Sequence, residues 1–260
     1  MKKSCKFALC FLAFGLALII LTSPLAAQSN DKGLINYWPI GQGMTYEIDT
    51  WGKVLGQSTT TFAGVVNHSV AGNCYLFRTE TVVHDLKGDL NSEIKSELFT
   101  DVTGKPRFYT VDYIEKGDTT SYQGYLGEYE FIIAEIVDTG VVEYRTNMSP
   151  TTVLCDRQSV AQWNLAFYNE GNLDRDEITF SVLIPYLKLR TLMRMERRDD
   201  ATLKVLGKDV LCKVFYSVRT DEYYYITPQK YVAQIHLPKQ GLTYRLTSIK
   251  PAEQPGSTEK

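Results

Sequence analysis

Three histidines, His68, His84 and His236, each stand without a second His or Cys at metal-ligand spacing, so no zinc or copper site is expected and they read as solvated or turn residues. The chain has no Gly-x-Ser-x-Gly elbow, no phosphate-cradling Gly-rich loop and no His-Glu-x-x-His. Glu93, Glu97, Asp101, Asp112 and Glu115 could supply paired carboxylates for general acid and base work, yet their pattern matches solvent-facing strand positions, and that is the expectation for them. The cluster Arg194, Glu196, Arg197, Arg198, Asp199 and Asp200 nearly cancels in sign and reads as a solvated strand end and turn rather than an anion site. No catalytic residue, no metal and no cofactor is expected.

Cysteine chemistry is the remaining candidate. Cys5 and Cys10 lie in the leader described below, which leaves Cys74, Cys155 and Cys212, an odd number, and no Cys-x-x-Cys pair for thiol-disulfide exchange. Strand alternation puts Cys212 on one face with Val210, Val214, Tyr216 and Val218, so Cys212 points inward. A buried thiol and a disulfide both remain open for these three residues, and no pairing is assigned.

The elements that would position such groups begin after an export signal. Met1-Lys2-Lys3 opens a basic start, an apolar run from Phe7 to Leu21 follows, and Ser23-Pro24-Leu25-Ala26-Ala27 precedes Gln28. That run of about 15 residues falls short of the roughly 20 a bilayer span needs, so residues 1–27 read as a cleaved signal peptide rather than an anchor. No Cys follows the Leu-Ala-Ala exit, and no later apolar stretch can span a membrane, so the product is expected to be exported to the periplasm or cell envelope.

The formal charge of −2 becomes −5 once Lys2, Lys3 and Lys6 are removed with the leader, which argues against nucleic acid as a partner. With 44% hydrophobic and 22% charged residues, the chain can bury a real core. Runs such as Arg107-Phe108-Tyr109-Thr110-Val111 and Val214-Phe215-Tyr216-Ser217-Val218 are β-branched and aromatic. Between such runs sit turn signals, including Lys87-Gly88-Asp89, Thr103-Gly104-Lys105, Lys116-Gly117-Asp118 and Asp199-Asp200. One stretch has helical spacing: Val160, Trp163, Ala166 and Phe167 recur between Asp156 as an N-cap and Gly171 as a stop. The fold class expected is mainly β, a curved antiparallel sheet or half-barrel wrapped around one substantial helix. Residues 28–250 form this domain, and 251–260 read as a disordered tail.

A weak repetition also runs through it. Val70-Ala71-Gly72-Asn73-Cys74 and Val205-Leu206-Gly207 to Cys212 both lead from a Val-x-Gly turn to a Cys that opens an apolar strand. Halves at about 36–150 and 151–250 are one reading and chance recurrence of hairpin patterns is the other.

The segment Tyr37-Trp38-Pro39-Ile40-Gly41-Gln42-Gly43-Met44-Thr45-Tyr46 resembles the start of many exported bacterial β proteins. The stretch from Asp156 to Leu246 resembles an exported bacterial family known only as a domain of unknown function, similar in fold to the periplasmic lipoprotein carriers. The matching pieces are Asp156-Arg157-Gln158-Ser159, Phe167-Tyr168-Asn169-Glu170-Gly171, Gly207 to Phe215, Tyr223-Tyr224-Tyr225-Ile226 with Tyr224 in place of Trp, and Gly241-Leu242-Thr243-Tyr244-Arg245-Leu246. The resemblance implies a curved antiparallel sheet around a helix and brings no catalytic residues.

Two functional classes follow. In one, sheet and helix enclose an apolar cleft for a lipid, a lipoprotein segment or another hydrophobic small molecule, with Val160, Trp163 and Phe167 as the ligand-contacting stripe. In the other, a filled core presents a sheet face or edge to an envelope protein. An enzyme comes third. For maturation the expected outcome is an exported chain that begins at or near Gln28, which N-terminal sequencing checks; an intact Met1 in the envelope fraction contradicts it.

Overall fold

Alternation of apolar and polar residues carries most of the chain into strands. The computed structural model describes residues 33–126, 130–137, 140–147, 152–155 and 160–251. The expected leader at 1–27, Asp156 to Ser159 and most of the expected tail therefore lie outside the described residues. After a short helix α1 (Gly33–Tyr37) come β1 (Gly43–Thr50), β2 (Lys53–His68), β3 (Gly72–His84), β4 (Leu90–Thr100), β5 (Pro106–Glu115), β6 (Asp118–Leu126), β7 (Glu130–Val137) and β8 (Gly140–Asn147). Then follow β9 (Thr152–Leu154), α2 (Ala161–Asn169), β10 (Glu177–Ile184), β11 (Leu189–Val205), β12 (Lys208–Ser217), β13 (Glu222–Ile226), β14 (Val232–Leu237) and β15 (Leu242–Lys250).

All 15 strands join one open, curved sheet in the order β8-β7-β6-β5-β4-β3-β2-β1-β15-β14-β13-β12-β11-β10-β9. The first and last strands pair in its middle, from Gly43 opposite Lys250 to Thr50 opposite Leu242. The two stretches read as halves fall on β1–β8 and β9–β15 and meet along that pairing.

Three expectations need correction. The sheet is not wholly antiparallel, because β9 runs parallel to β10 with Thr152 opposite Ser181. A helical crossover allows parallel neighbours, and α2 lies between these two strands. Asp199-Asp200 is not a turn: both acids sit inside the 17-residue β11, at a register shift between Arg198 and Ala201. Arg197 bonds both Asp200 and the Arg198 carbonyl, which holds the bulge in the strand. The substantial helix is only the nine-residue α2, which ends at Glu170 rather than Gly171 and has no side-chain cap at Val160.

α2 is short because tertiary packing, not capping, sustains it. Every residue from Gln162 to Phe167 is buried, so the helix is inserted into the concave face rather than laid on it. Trp163 stands 5.0 Å from the Tyr224 ring and Phe167 5.5 Å from Phe180, all within one continuous core. Between these aromatics sits Asn164, fully buried. Its Nδ2 donates to the Tyr46 hydroxyl at 2.8 Å and its Oδ1 accepts from the Val232 N–H at 2.7 Å. Tyr46 in turn donates to the Val232 carbonyl at 2.9 Å, so the three groups close a network between α2, β1 and β14. At the C-terminus of α2, Lys230 Nζ donates to the Glu170 carbonyl at 2.7 Å and supplies the cation that helix ends favour.

The ends of the sheet are tied by side chains. A 3-10 turn, Pro185–Leu187, lies against β6, and β9 lies against β5. Lys188 donates to Glu135 Oε2 at 2.6 Å and sits 4.3 Å from the Tyr144 ring centroid, which pushes the lysine up and pulls the carboxyl of Glu135 below its usual range. Arg190 Nη1 donates to the Asn147 carbonyl at 2.9 Å.

Replacing Asn164 by Ala leaves the buried Val232 N–H without its partner, and an orphaned buried donor costs about 1–3 kcal/mol. Chemical denaturation of Asn164→Ala is expected to show a loss of at least that size; an unchanged midpoint contradicts this role for the network.

Candidate functional site

Helical geometry divides α2 into stripes. Val160, Trp163 and Phe167, the residues expected to contact a ligand, pack together into the core at 2%, 4% and 0% exposure. A second stripe at i, i+3, i+4 and i+7, Gln162, Leu165, Ala166 and Asn169, borders a cavity of about 310 Å³. The cavity lies between α2, β9, β10 and the turn from β4 to β5. Leu98, Leu154, Leu165, Ala166 and Phe180 are its buried apolar lining, while Thr103, Asn169 and Thr179 are exposed. Apolar walls with a few polar groups are the usual construction of a small-molecule site. Phe180 belongs to both regions, since its ring also packs against Trp163 and Phe167.

Local chemistry shapes the turn that forms one wall. Asp101 Oδ1 accepts from the Thr103 N–H at 2.9 Å and the Lys105 N–H at 3.1 Å, and Oδ2 meets Arg107 at 3.3 Å. Gly104 adopts φ +83° there, and a Cβ on it would stand 3.3 Å from Asn169 Nδ2. Asp101 is thus committed to fixing the turn against the helix.

The other acids weighed for catalysis are dispersed on the strands. Glu97 pairs with Arg78 at 2.9 Å, Glu93 with Lys95 at 2.9 Å, and Asp112 accepts from Ser121 at 2.6 Å. Glu115 is exposed at the end of β5. Arg194, Arg197 and Arg198 pair with Glu177, Asp200 and Glu196. A second, more open cavity of about 420 Å³ touches Arg145 and Arg190, but the structure already engages both: Arg145 with Glu130 and Glu143, Arg190 with Ser181 and the Asn147 carbonyl.

The histidines are also separate. His68 differs from the solvated reading: its ring centroid lies 4.5 Å from Phe99 and 4.4 Å from Phe108, and its Nδ1 accepts from the N–H groups of Val70 and Ala71 at 3.2 Å. Burial lowers its pKa. His236 Nδ1 lies 3.1 Å from Thr243 Oγ1, and His84 Nδ1 is buried without a partner among the described residues. Among the described residues no group of three or more His, Cys, Asp or Glu is placed to hold a metal ion.

Besides Asn164, two residues that sequence reasoning passed over carry polar chemistry away from the surface, the half-buried Glu222 and the buried Gln162. Glu222 accepts from the Tyr224 hydroxyl, and burial raises its carboxyl. It belonged to an acidic-aromatic strand pattern that gave no sign of inward orientation. Gln162 lines the cavity at 4% exposure, and its Oε1 has no hydrogen-bond partner. Nothing but helical spacing could have marked it.

No family model and no curated protein matches the chain. Solved structures to which it is similar include a DUF1089 family protein from Pseudomonas aeruginosa, at 10% identity and TM-score 0.41, over 76% of this chain and 92% of that one. A "putative lipoprotein" from Parabacteroides distasonis aligns at 10% identity and TM-score 0.33, over 82% and 98%. A "putative exported protein" with a YmcC-like fold from Bacteroides fragilis aligns at 11% identity and TM-score 0.29, over 82% and 97%. Among the described residues no helix is long and apolar enough to cross a membrane.

Cys212 is fully buried, as its inward expectation requires, although the buried face of β12 passes to Phe215 and Ser217 beyond it, opposite the β11 bulge. Cys74 and Cys212 are free thiols, Cys155 is half-buried, and burial pushes Cys212 up to about 11. The thiolate is the reactive form, so Cys212 is expected to react slowly with a thiol reagent at pH 8 in the native protein. On denaturation at least the two thiols of Cys74 and Cys212 should titrate rapidly. Rapid labelling of Cys212 in the folded state contradicts its burial.

Proposed function

We propose that this is an exported cell-envelope protein that binds a hydrophobic small molecule noncatalytically in the cavity beside α2. The observation that carries the reading is that cavity, about 310 Å³ with a largely apolar buried lining and exposed polar residues at its edge. Export rests on the leader pattern at 1–27. In this reading the ligand lies against Gln162, Leu165, Ala166 and Asn169, next to the Val160, Trp163 and Phe167 stripe, whose rings pack on Tyr224, Phe180 and Phe215. The noncatalytic reading is supported by the dispersal of Glu93, Glu97, Asp112, Glu115 and the histidines, none of which lines the cavity. A second reading, an envelope interaction module with a filled core, is favoured by that same dense aromatic packing.

The two separate experimentally. Mass spectrometry of organic extracts from natively purified protein is expected to detect a co-purifying apolar compound, and a hydrophobic probe dye is expected to bind the emptied protein. Ala166→Phe, which fills the cavity, should abolish dye binding, whereas Trp163→Ala should lower stability by about 3–5 kcal/mol through loss of core packing. Clean extracts together with a dye-silent wild type overturn the binding reading in favour of the module.

A further inference from the structure

Two buried polar side chains line the cavity: Thr152, whose hydroxyl donates to Ser181 Oγ at 3.2 Å, and Gln162, which sits on the inserted helix one turn from Leu165 and Ala166. Its Oε1 is buried and accepts no hydrogen bond among the described residues. Folded proteins leave few buried polar atoms in that condition, because a lost hydrogen bond to water is not replaced. An aliphatic side chain of similar length would satisfy the same space without that penalty. Retaining an acceptor there makes physical sense when something in the cavity donates to it.

The volume limits what that something is. A cavity of about 310 Å³ is about twice the ~150 Å³ that accepts one benzene ring, at the lower end of small-molecule sites. Its buried lining of Leu98, Leu154, Phe180 and Ala166 favours hydrocarbon in the interior, while the charged lining residues Lys105 and Glu170 are partly exposed.

Resting on the binding function proposed above, we propose that Gln162 is the polar anchor of the cavity, and that the occupant is a short, largely apolar molecule with one hydroxyl or amide N–H that donates to Gln162 Oε1. The anchor selects donor-bearing ligands over hydrocarbons and ethers of the same size.

The test uses two isomers of equal atom count, 1-hexanol and methyl pentyl ether, which differ in whether the oxygen carries a proton. Displacement of a hydrophobic dye from the mature protein should show the alcohol binding about five- to tenfold more tightly than the ether, the worth of one hydrogen bond. Gln162→Met should bind both isomers equally while keeping or raising the unfolding midpoint, since the substitution removes an unpaired buried acceptor. Equal affinities in the wild type overturn the anchor and leave the binding site standing. A large fall in the midpoint of Gln162→Met also overturns it, by showing that Gln162 holds the fold. If neither isomer nor the dye binds, the binding reading itself fails.

Discussion

The structure depends on a helix driven into the concave side of a sheet and held there by a buried amide. A curved sheet of 15 strands presents one large apolar face, and its free energy improves only when that face is covered. α2 supplies the cover, yet a nine-residue helix brings polar ends and backbone groups into the interior with it. Asn164 resolves part of this conflict by linking Tyr46 on β1 with the backbone of β14. Lys230 resolves another part at the helix C-terminus. Because β1 and β14 both border β15 at the middle of the sheet, the amide ties the helix to the place where the first and last described strands are joined.

Closure around the helix is achieved on two different terms. Backbone hydrogen bonds run through the middle of the sheet, while its ends approach through side chains such as Lys188 on Glu135 and Arg190 on Asn147. Partly exposed ion pairs contribute little stability on their own, so packing of the Pro185–Leu187 turn and of β9 must do most of the holding. The cavity lies beside this incompletely paired end, where α2, β9, β10 and the β4–β5 turn converge without interdigitating.

Local signals made the strands legible. Gly in Lys87-Gly88-Asp89, Thr103-Gly104-Lys105 and Lys116-Gly117-Asp118 marks real reversals, each with the glycine at positive φ. Asp199-Asp200 carries the same polar signature but no glycine, and the bonds from Arg197 to Asp200 and the Arg198 carbonyl hold it in the extended strand as a bulge. The helix was legible through Trp163 and Phe167, whose spacing and bulk mark a buried stripe. Its other contacts were not, because Asn164 and Gln162 look like solvent-facing residues when only apolar periodicity is read. Insertion on several sides erases the polar face that defines a surface helix. The parallel strand β9 was equally hidden, since three residues leave no period to detect.

Those hidden residues also explain how a filled core and an open cavity coexist on one helix. Trp163 and Phe167 pack one side of α2 against Tyr224, Phe180 and Phe215, so the neighbouring stripe is presented on a densely packed support. A wall that does not move loses little freedom when a ligand meets it, and preorganisation of this kind raises affinity without any added contact. Phe180, shared between core and cavity, couples the two: under the proposed binding function, substitutions in the aromatic stripe alter binding through its position even where they touch no ligand. A module with no ligand would need the same core but has no physical use for an apolar recess with an unpaired acceptor beside it. The distinction between the two functions therefore rests on Gln162, Leu165 and Ala166, not on the large aromatics that first draw attention in the sequence.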